Sequence, residues 1–390
     1  VGQAPVVRAV NMLIAQAVKD RASDIHLESA EDALVVRYRI DGVLHEAVRL
    51  PMGVRAALIS RVKVMSGMDI AERRKPQDGS FSLSLDDRAI DFRVASIETT
   101  YGEKVVMRIL DKGTNVRSLD GLGFQPQTLQ LFKGLLQSPW GMIVVSGPTG
   151  SGKTTTLYAA LNELDSKTQN IMTIENPVEY HFPGINQIQV NEQAGITFAS
   201  GMRSIVRMDP NIILVGEIRD QETAHTAIQA ALTGHLVLTT VHANDSAAAI
   251  TRIVDLGVEP FLVTAALIGS LAQRLIRRVC PYCKGIAGVP PDEAAAYQSE
   301  MGETRTDFYV GRGCNFCSRT GYQGRLGVYE LMIINDKIRD MVTKRVPANE
   351  IRAESIRSGM MTMRRDGMLK AKDGVTTPRE VMRHVFTLLS

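Results

Sequence analysis

A chain of 390 residues has room for two or three domains with ample core. Its 44% apolar and 22% charged content is that of an ordinary globular protein, and a net charge of +3 excludes bulk electrostatic attraction to nucleic acid or membrane. The longest apolar run, Phe261 to Ala272, is too short to span a bilayer and is closed by Gln273-Arg274.

No secretory signal opens the chain, so a cytosolic protein is expected, and Val1 in place of Met suggests that an upstream segment is missing. Val6 to Val18 has helical apolar spacing. Strands are expected at 33–40 and 43–48, joined by the turn Asp41-Gly42. A helix at about 53–66 precedes strands near 80–85, 89–97 and 103–110, with Asp86-Asp87 as a further hairpin turn. Residues 1–112 therefore predict a small α+β domain, and Gly- and Asp-rich residues 113–124 a linker. From 125 to 390 the pattern changes. Runs at 142–146, 154–165, 170–174, 197–207, 211–216, 220–233, 235–241 and 246–256 alternate strand and helix, which predicts an α/β fold with a mostly parallel sheet. The chain becomes loop-rich around four cysteines after 280, then short helices fill 336–390.

The chemistry begins at Gly147-Pro148-Thr149-Gly150-Ser151-Gly152-Lys153-Thr154, directly after the apolar run Gly141 to Ser146. Strand, Gly-x-x-x-x-Gly-Lys-Thr and helix in that order is the context of a phosphate-binding P-loop. Glycines let backbone N–H groups face the phosphates, Lys153 reaches the β- and γ-phosphates, and Thr154 is placed for Mg²⁺. Thr155 continues the loop into the helix. The chain is expected to bind ATP.

Further strand ends carry acids and bases. Ile212 to Val215 is a buried strand followed by Gly216-Glu217, and Glu217 suits a base that polarises the attacking water. The alternative is an acid at a helix start. Glu175 and Glu179 lie just beyond the 170–174 strand, around Asn176. His235 and His242 bracket one strand, so only one can face the phosphates, and the carboxyl-end rule favours His242. A lone His is more often a satisfied hydrogen-bonding residue. Arg203, Arg207, Arg219 and Arg252 are core candidates for charge stabilisation, as are Arg93 and Arg108 on adjacent strands of the first domain. Taken singly, each is more often a solvated surface or ion-pair residue.

Cys280-Pro-Tyr-Cys283 and Cys314-Asn-Phe-Cys317 use every cysteine. Two C-x-x-C knuckles in a reducing compartment predict a closed, structural Zn²⁺ site in a subdomain at about 278–325, with disulfides the disfavoured alternative.

In combination these motifs resemble the secretion-superfamily ATPases of type IV pilus assembly and type II secretion. The segments Arg21 to Glu28 and Arg37 to Gly42 look like that family's PAS-like domain, and Val215 to Asp220, Thr233 to His242 and Gly321 to Glu330 follow in family order. The resemblance implies a RecA-like ATPase domain and a homo-hexameric ring, with ATP held between domains. It implies Glu217 as the catalytic acid and Arg93 and Arg108 closing on the γ-phosphate, while Arg203, Arg207, Arg219 and Arg252 serve the nucleotide site or subunit interface. Asn176 departs from the family's usual Asp, shifting weight to Glu175 and Glu179. The ring is expected at the cytoplasmic face of the inner membrane, driving a platform protein together with cytoplasmic assembly proteins. Four cysteines argue against a pilus-retraction ATPase. Pilus assembly is preferred over type II secretion. A DNA motor is disfavoured by near-neutral charge and a single Trp, so no direct nucleic-acid contact is expected.

Overall fold

The computed structural model describes residues 5–85, 88–111 and 118–385. The chain divides into two compact units, Val1–Asn115 and Val116–Ser390.

The first unit runs α1 (Pro5–Lys19), β1 (Ala22–Ser29), β2 (Ala33–Ile40), β3 (Val43–Pro51), α2 (Met52–Met65), β4 (Gln77–Leu85), β5 (Arg88–Thr99) and β6 (Gly102–Asp111). Its six strands form one antiparallel sheet in the order β3-β2-β1-β6-β5-β4. Both helices cover one face: Val10, Ile14, Leu58, Ile59 and Val62 pack on Ile25, Leu27, Val36, Phe92, Val94 and Met107. The other face is charged, because side chains alternate along each strand. Alternation also explains why β1 escapes a reading by apolar runs. Its Asp24, His26 and Glu28 interrupt the apolar signal, but Asp24 sits opposite Arg39 and Arg108, His26 opposite Arg37, and Glu28 pairs with Arg37 and Lys104. The Asp86-Asp87 turn lies outside the described residues.

The second unit contains α3 (Pro126–Leu136), β7 (Gly141–Ser146), α4 (Lys153–Asn162), β8 (Ile171–Glu175), β9 (Asn186–Gln189), α5 (Phe198–Ile205), β10 (Ile212–Val215), α6 (Gln221–Leu232) and β11 (Leu236–Val241). It continues with α7 (Ser246–Asp255), α8 (Pro260–Ala266), β12 (Leu267–Val279), β13 (Lys284–Gly288), α9 (Pro291–Met301), β14 (Asp307–Gly311), β15 (Tyr322–Ile333) and helices α10 (Asp336–Thr343), α11 (Ala348–Arg357), α12 (Met363–Lys372) and α13 (Pro378–His384). Seven strands run β15-β12-β7-β11-β10-β8-β9, parallel except for the antiparallel β12–β15 edge. The central strands are apolar throughout because each serves two cores. Met142, Val144, Ile213, Val215 and Val237 pack with α5, α6, α7 and α8, while Ile143, Val145, Ile212, Leu214 and Leu238 pack with α3 and α4. No described helix is long and apolar enough to cross a membrane.

The run Phe261–Ala272 is not one element: it divides between α8 and β12, and β12 pairs with β15 over most of its length. Part of the expected linker is packed chain. Leu119 and Leu122 are buried beside Phe132, Phe124 stacks on Tyr329 at 3.6 Å, and the Tyr329 hydroxyl donates to the Leu122 carbonyl at 3.3 Å. The glycines that suggest a linker instead close a short turn, with Gly123 at φ 94° against Leu326. Residues 112–117 of the expected linker lie outside the described residues.

Candidate active site

The loop 147–152 leaves the carboxyl end of β7 and enters α4, where ligands of open parallel sheets bind. Gly147, Gly150 and Gly152 have φ of 152°, 77° and 89°, and Gly147 has a second constraint: a Cβ there would lie 2.6 Å from the Gln273 carbonyl. Pro148, Thr149 and Gly150 are exposed, as are Thr154 and Thr155 on the first turn of α4, while Ser151 is buried. The Lys153 ammonium folds over the loop, donating to the Gly147 carbonyl at 2.9 Å and the Pro148 carbonyl at 3.2 Å. Burial holds it below its ordinary value, with Glu217 opposing and Arg274 adding to the shift. A lysine so placed, next to free N–H groups at a helix start, is suited to an anion.

Glu217 follows β10, two strands from β7 in the same sheet. Its side chain is 15% exposed, and its two oxygens face Arg219 at 2.7 Å and His242 Nε2 at 3.6 Å. His242 stands just past the end of β11; His235, before its start, has Nδ1 2.8 Å from the Ala230 carbonyl. The two histidines are therefore separated as their sequence spacing requires. Among the core arginines, Arg203 pairs with Glu222, Arg207 Nε donates to the Arg203 carbonyl at 3.2 Å, and Arg252 is exposed on α7. In the first unit, Arg93 and Arg108 are directly opposed across β5 and β6, and Arg108 donates to Asp24 at 3.0 Å.

Glu175 departs from the expected catalytic carboxylate. It is 3% exposed, and its oxygens already accept from the Tyr158 hydroxyl, from Thr173 at 2.6 Å and from Gln187 at 3.2 Å. It is the last residue of β8, so its side chain lies among neighbouring elements, tying α4 to β8 and β9. Glu179 is half-buried beyond it, its N–H donating to Tyr158 at 3.2 Å. Asn176 is exposed. Tyr158, which sequence reasoning missed, is thus the hub of the acidic segment; its helical apolar spacing concealed the hydroxyl's role.

The cysteines converge. All four Sγ atoms lie within 4.8 Å of one another, with Cys280–Cys314 at 3.8 Å, Cys283–Cys317 at 3.9 Å and Cys314–Cys317 at 3.7 Å. A tetrahedral Zn²⁺ with Zn–S of about 2.3 Å sets sulfur separations of about 3.8 Å, so the donor set fits. Burial pushes the Cys317 thiol up, but N–H groups of Cys314 and Gly321 bring it down to about 7.

The profile of the family described as "Type II/IV secretion system protein" matches residues 1–383. The type II secretion system protein HxcR of Pseudomonas aeruginosa is 48% identical over 97% of this chain and 77% of its own length. The type IV pilus assembly ATPase PilB of Myxococcus xanthus is 47% identical over 97% of this chain and 68% of its own. Among solved structures, the pilus retraction motor PilT with bound ADP superimposes with a TM-score of 0.63 at 26% identity, covering 96% of both chains. The ATPase DotB of Legionella pneumophila gives 0.69 at 19% identity over 96% of this chain and 94% of its own, a likeness of fold. With a glycine loop between β7 and α4, an acid after β10 in the same sheet and relatives of this similarity across its length, the chain belongs to the type II secretion and type IV pilus assembly ATPase family.

Proposed function

We propose that this chain is a ring-forming ATP-hydrolysing motor that drives assembly of a type IV pilus. The observation that carries the enzymatic part is Glu217, held at the end of β10 by Arg219 and His242 in the same sheet as the loop of Lys153. In this reading residues 147–155 hold the triphosphate and Lys153 neutralises its β- and γ-oxygens. Mg²⁺, when bound through Thr154, would screen the phosphate charge. Glu217 orients the attacking water and takes its proton, with His242 and Arg219 fixing the carboxylate. Glu179 is a supporting acid. Arg203, Arg207 and Arg252 serve the subunit interface of a homo-hexamer. The first unit is read as PAS-like, residues 125–390 as RecA-like, and the cysteine cluster within 278–325 as a structural Zn²⁺ site.

Arg93 and Arg108 supply charge to the γ-phosphate in this reading. Arg93→Ala is then expected to lower turnover about 10³-fold or more while changing nucleotide affinity only modestly, since such arginines act on the transition state and contribute about 10³–10⁵-fold. Steady-state phosphate release beside equilibrium ATP binding checks this. Unaltered turnover would remove Arg93 from the mechanism.

The work would be delivered at the cytoplasmic face of the inner membrane to a platform protein with its associated cytoplasmic assembly proteins, and DNA is not expected to stimulate turnover. The second reading, type II secretion, is favoured by HxcR at 48% identity against 47% for PilB. Deletion of the gene, restored intact or as Glu217→Gln, separates the two. Loss of surface pili with normal secretion, rescued only by the intact gene, supports pilus assembly; lost secretion with pili intact assigns the chain to type II secretion.

A further inference from the structure

The phosphate loop has a neighbour on each side in the sheet. On one side β11 and then β10 lead to Glu217; on the other β12 runs parallel to β7, Ala272 pairing with Ser146. The next residues of β12, Gln273 and Arg274, therefore run beside the start of the loop. Gln273 is 1% exposed and donates from Nε2 to the Ser151 carbonyl at 2.7 Å, inside the loop itself. Its Oε1 and the Ser151 hydroxyl are buried with no hydrogen-bond partner among the described residues.

Arg274 is half-buried, and among the described residues its guanidinium donates to oxygens that carry no charge: the Gln273 carbonyl at 3.3 Å and Asn244 at 3.1 and 3.3 Å. Burial lowers it from its ordinary value, with Asp245 and Glu330 opposing from further away. Taking a guanidinium out of water without a carboxylate is costly, and this one also repels Lys153. An anion lying on the loop would relieve both.

We propose that Arg274 contacts the phosphates of the nucleotide at the diphosphate end, with Gln273 as the positioning residue that fixes the loop at Ser151. The strand order gives the end. Glu217, which in the ATPase reading attends the γ-phosphate, lies on the β10 side, so a cation on the β12 side attends the part that ATP and ADP share. The proposal rests on that reading.

The test uses the full chain, with fluorescent ADP and a non-hydrolysable fluorescent ATP analogue as probes. Arg274→Ala is expected to weaken both about tenfold, the scale of a lost charge-assisted hydrogen bond, and to raise KM for ATP with kcat within about threefold. Arg274→Lys should stay within about threefold of the unaltered protein, and Arg274→Gln, if the alanine variant does not fold, should show the tenfold loss. Gln273→Met, nearly isosteric but without the donor, should raise KM with little change in kcat and an unfolding midpoint that stays put without nucleotide. Affinities within about twofold for both probes, or a loss confined to the ATP analogue, would overturn the Arg274 placement. Lys153→Ala is measured alongside. If it too leaves binding unchanged, the ATPase reading has failed; if it abolishes binding while Arg274→Ala is silent, only the present inference has.

Discussion

Glu217→Gln is expected to reduce ATP turnover by about 10²–10⁴-fold, the range a positioned general base contributes, while ATP binding is retained. The substitution keeps size and shape and replaces one oxygen with an amide. Glu175 is committed to Tyr158, Thr173 and Gln187, and Glu179 lies past that buried network. Binding should survive because the loop carbonyls that hold Lys153 do not involve Glu217, and removing a negative charge near a phosphate does not weaken an anion site. Pre-steady-state binding of fluorescent ATP together with phosphate release measures both halves. Full turnover in Glu217→Gln would remove Glu217 from the hydrolytic step. Loss of binding along with turnover would mean that Glu217 holds the loop in place through Arg219 and Lys153, an effect of folding instead of chemistry.

What could be read in advance follows from how locally each feature is encoded. A phosphate loop is contiguous, and its glycines are dictated by backbone geometry at the loop itself, as at Gly147 against Gln273. The central strands were legible because burial on two sides leaves no polar alternation to blur them, as in β7 and β11. β1 was obscured by the reverse condition: Asp24, His26 and Glu28 are charged or polar only because β2 and β6 bring cations to that face, which is a tertiary fact. The run through Phe261–Ala272 carried the apolar signal of both α8 and β12, and periodicity does not locate a change of element within a continuous apolar run. The same limit hid the site on β12. Gln273-Arg274 was visible as the polar end of that run, but its place beside the loop depends on β12 pairing with β7, across more than a hundred residues of chain. Glu175 was misplaced for a similar reason. An acid after an apolar strand reads as catalytic until Tyr158, on the following helix of the loop, is found donating to it.

Removing zinc is expected to loosen the two cysteine knuckles between β12 and β15 while the central sheet stays folded. Four thiol sulfurs 3.7–3.9 Å apart along three of their edges match the geometry of a closed thiolate tetrahedron, and structural Zn²⁺ sites contribute about 10–16 kcal/mol of binding free energy to folding. The middle of the segment has a core of its own: Ala296, Tyr297 and Phe308 share a buried cluster with Met363, Met368, Ala371 and Val381 of α12 and α13. The knuckles differ, with Tyr282 and Phe316 stacked but exposed, and the adjoining β13–β14 pair is a two-stranded sheet of the kind that is marginal alone. The chain is also drawn tight there: a Cβ on Gly311 would lie 1.9 Å from the Gly321 carbonyl, a backbone atom that cannot step aside. Purified protein is therefore expected to carry about one zinc per chain by metal analysis. Chelation, or Cys314→Ser with Cys317→Ser, should raise hydrogen exchange at 280–285 and 311–321, with smaller changes in α9 and in β7, β10 and β11. Because β12 runs without interruption from Gln273 beside the phosphate loop to Val279 before the first cysteine, a weaker effect on nucleotide affinity should accompany the loss. Metal-free protein with unchanged exchange at the knuckles would show that the four thiols pack as an ordinary buried cluster, and that the surrounding packing is enough to keep the knuckles folded.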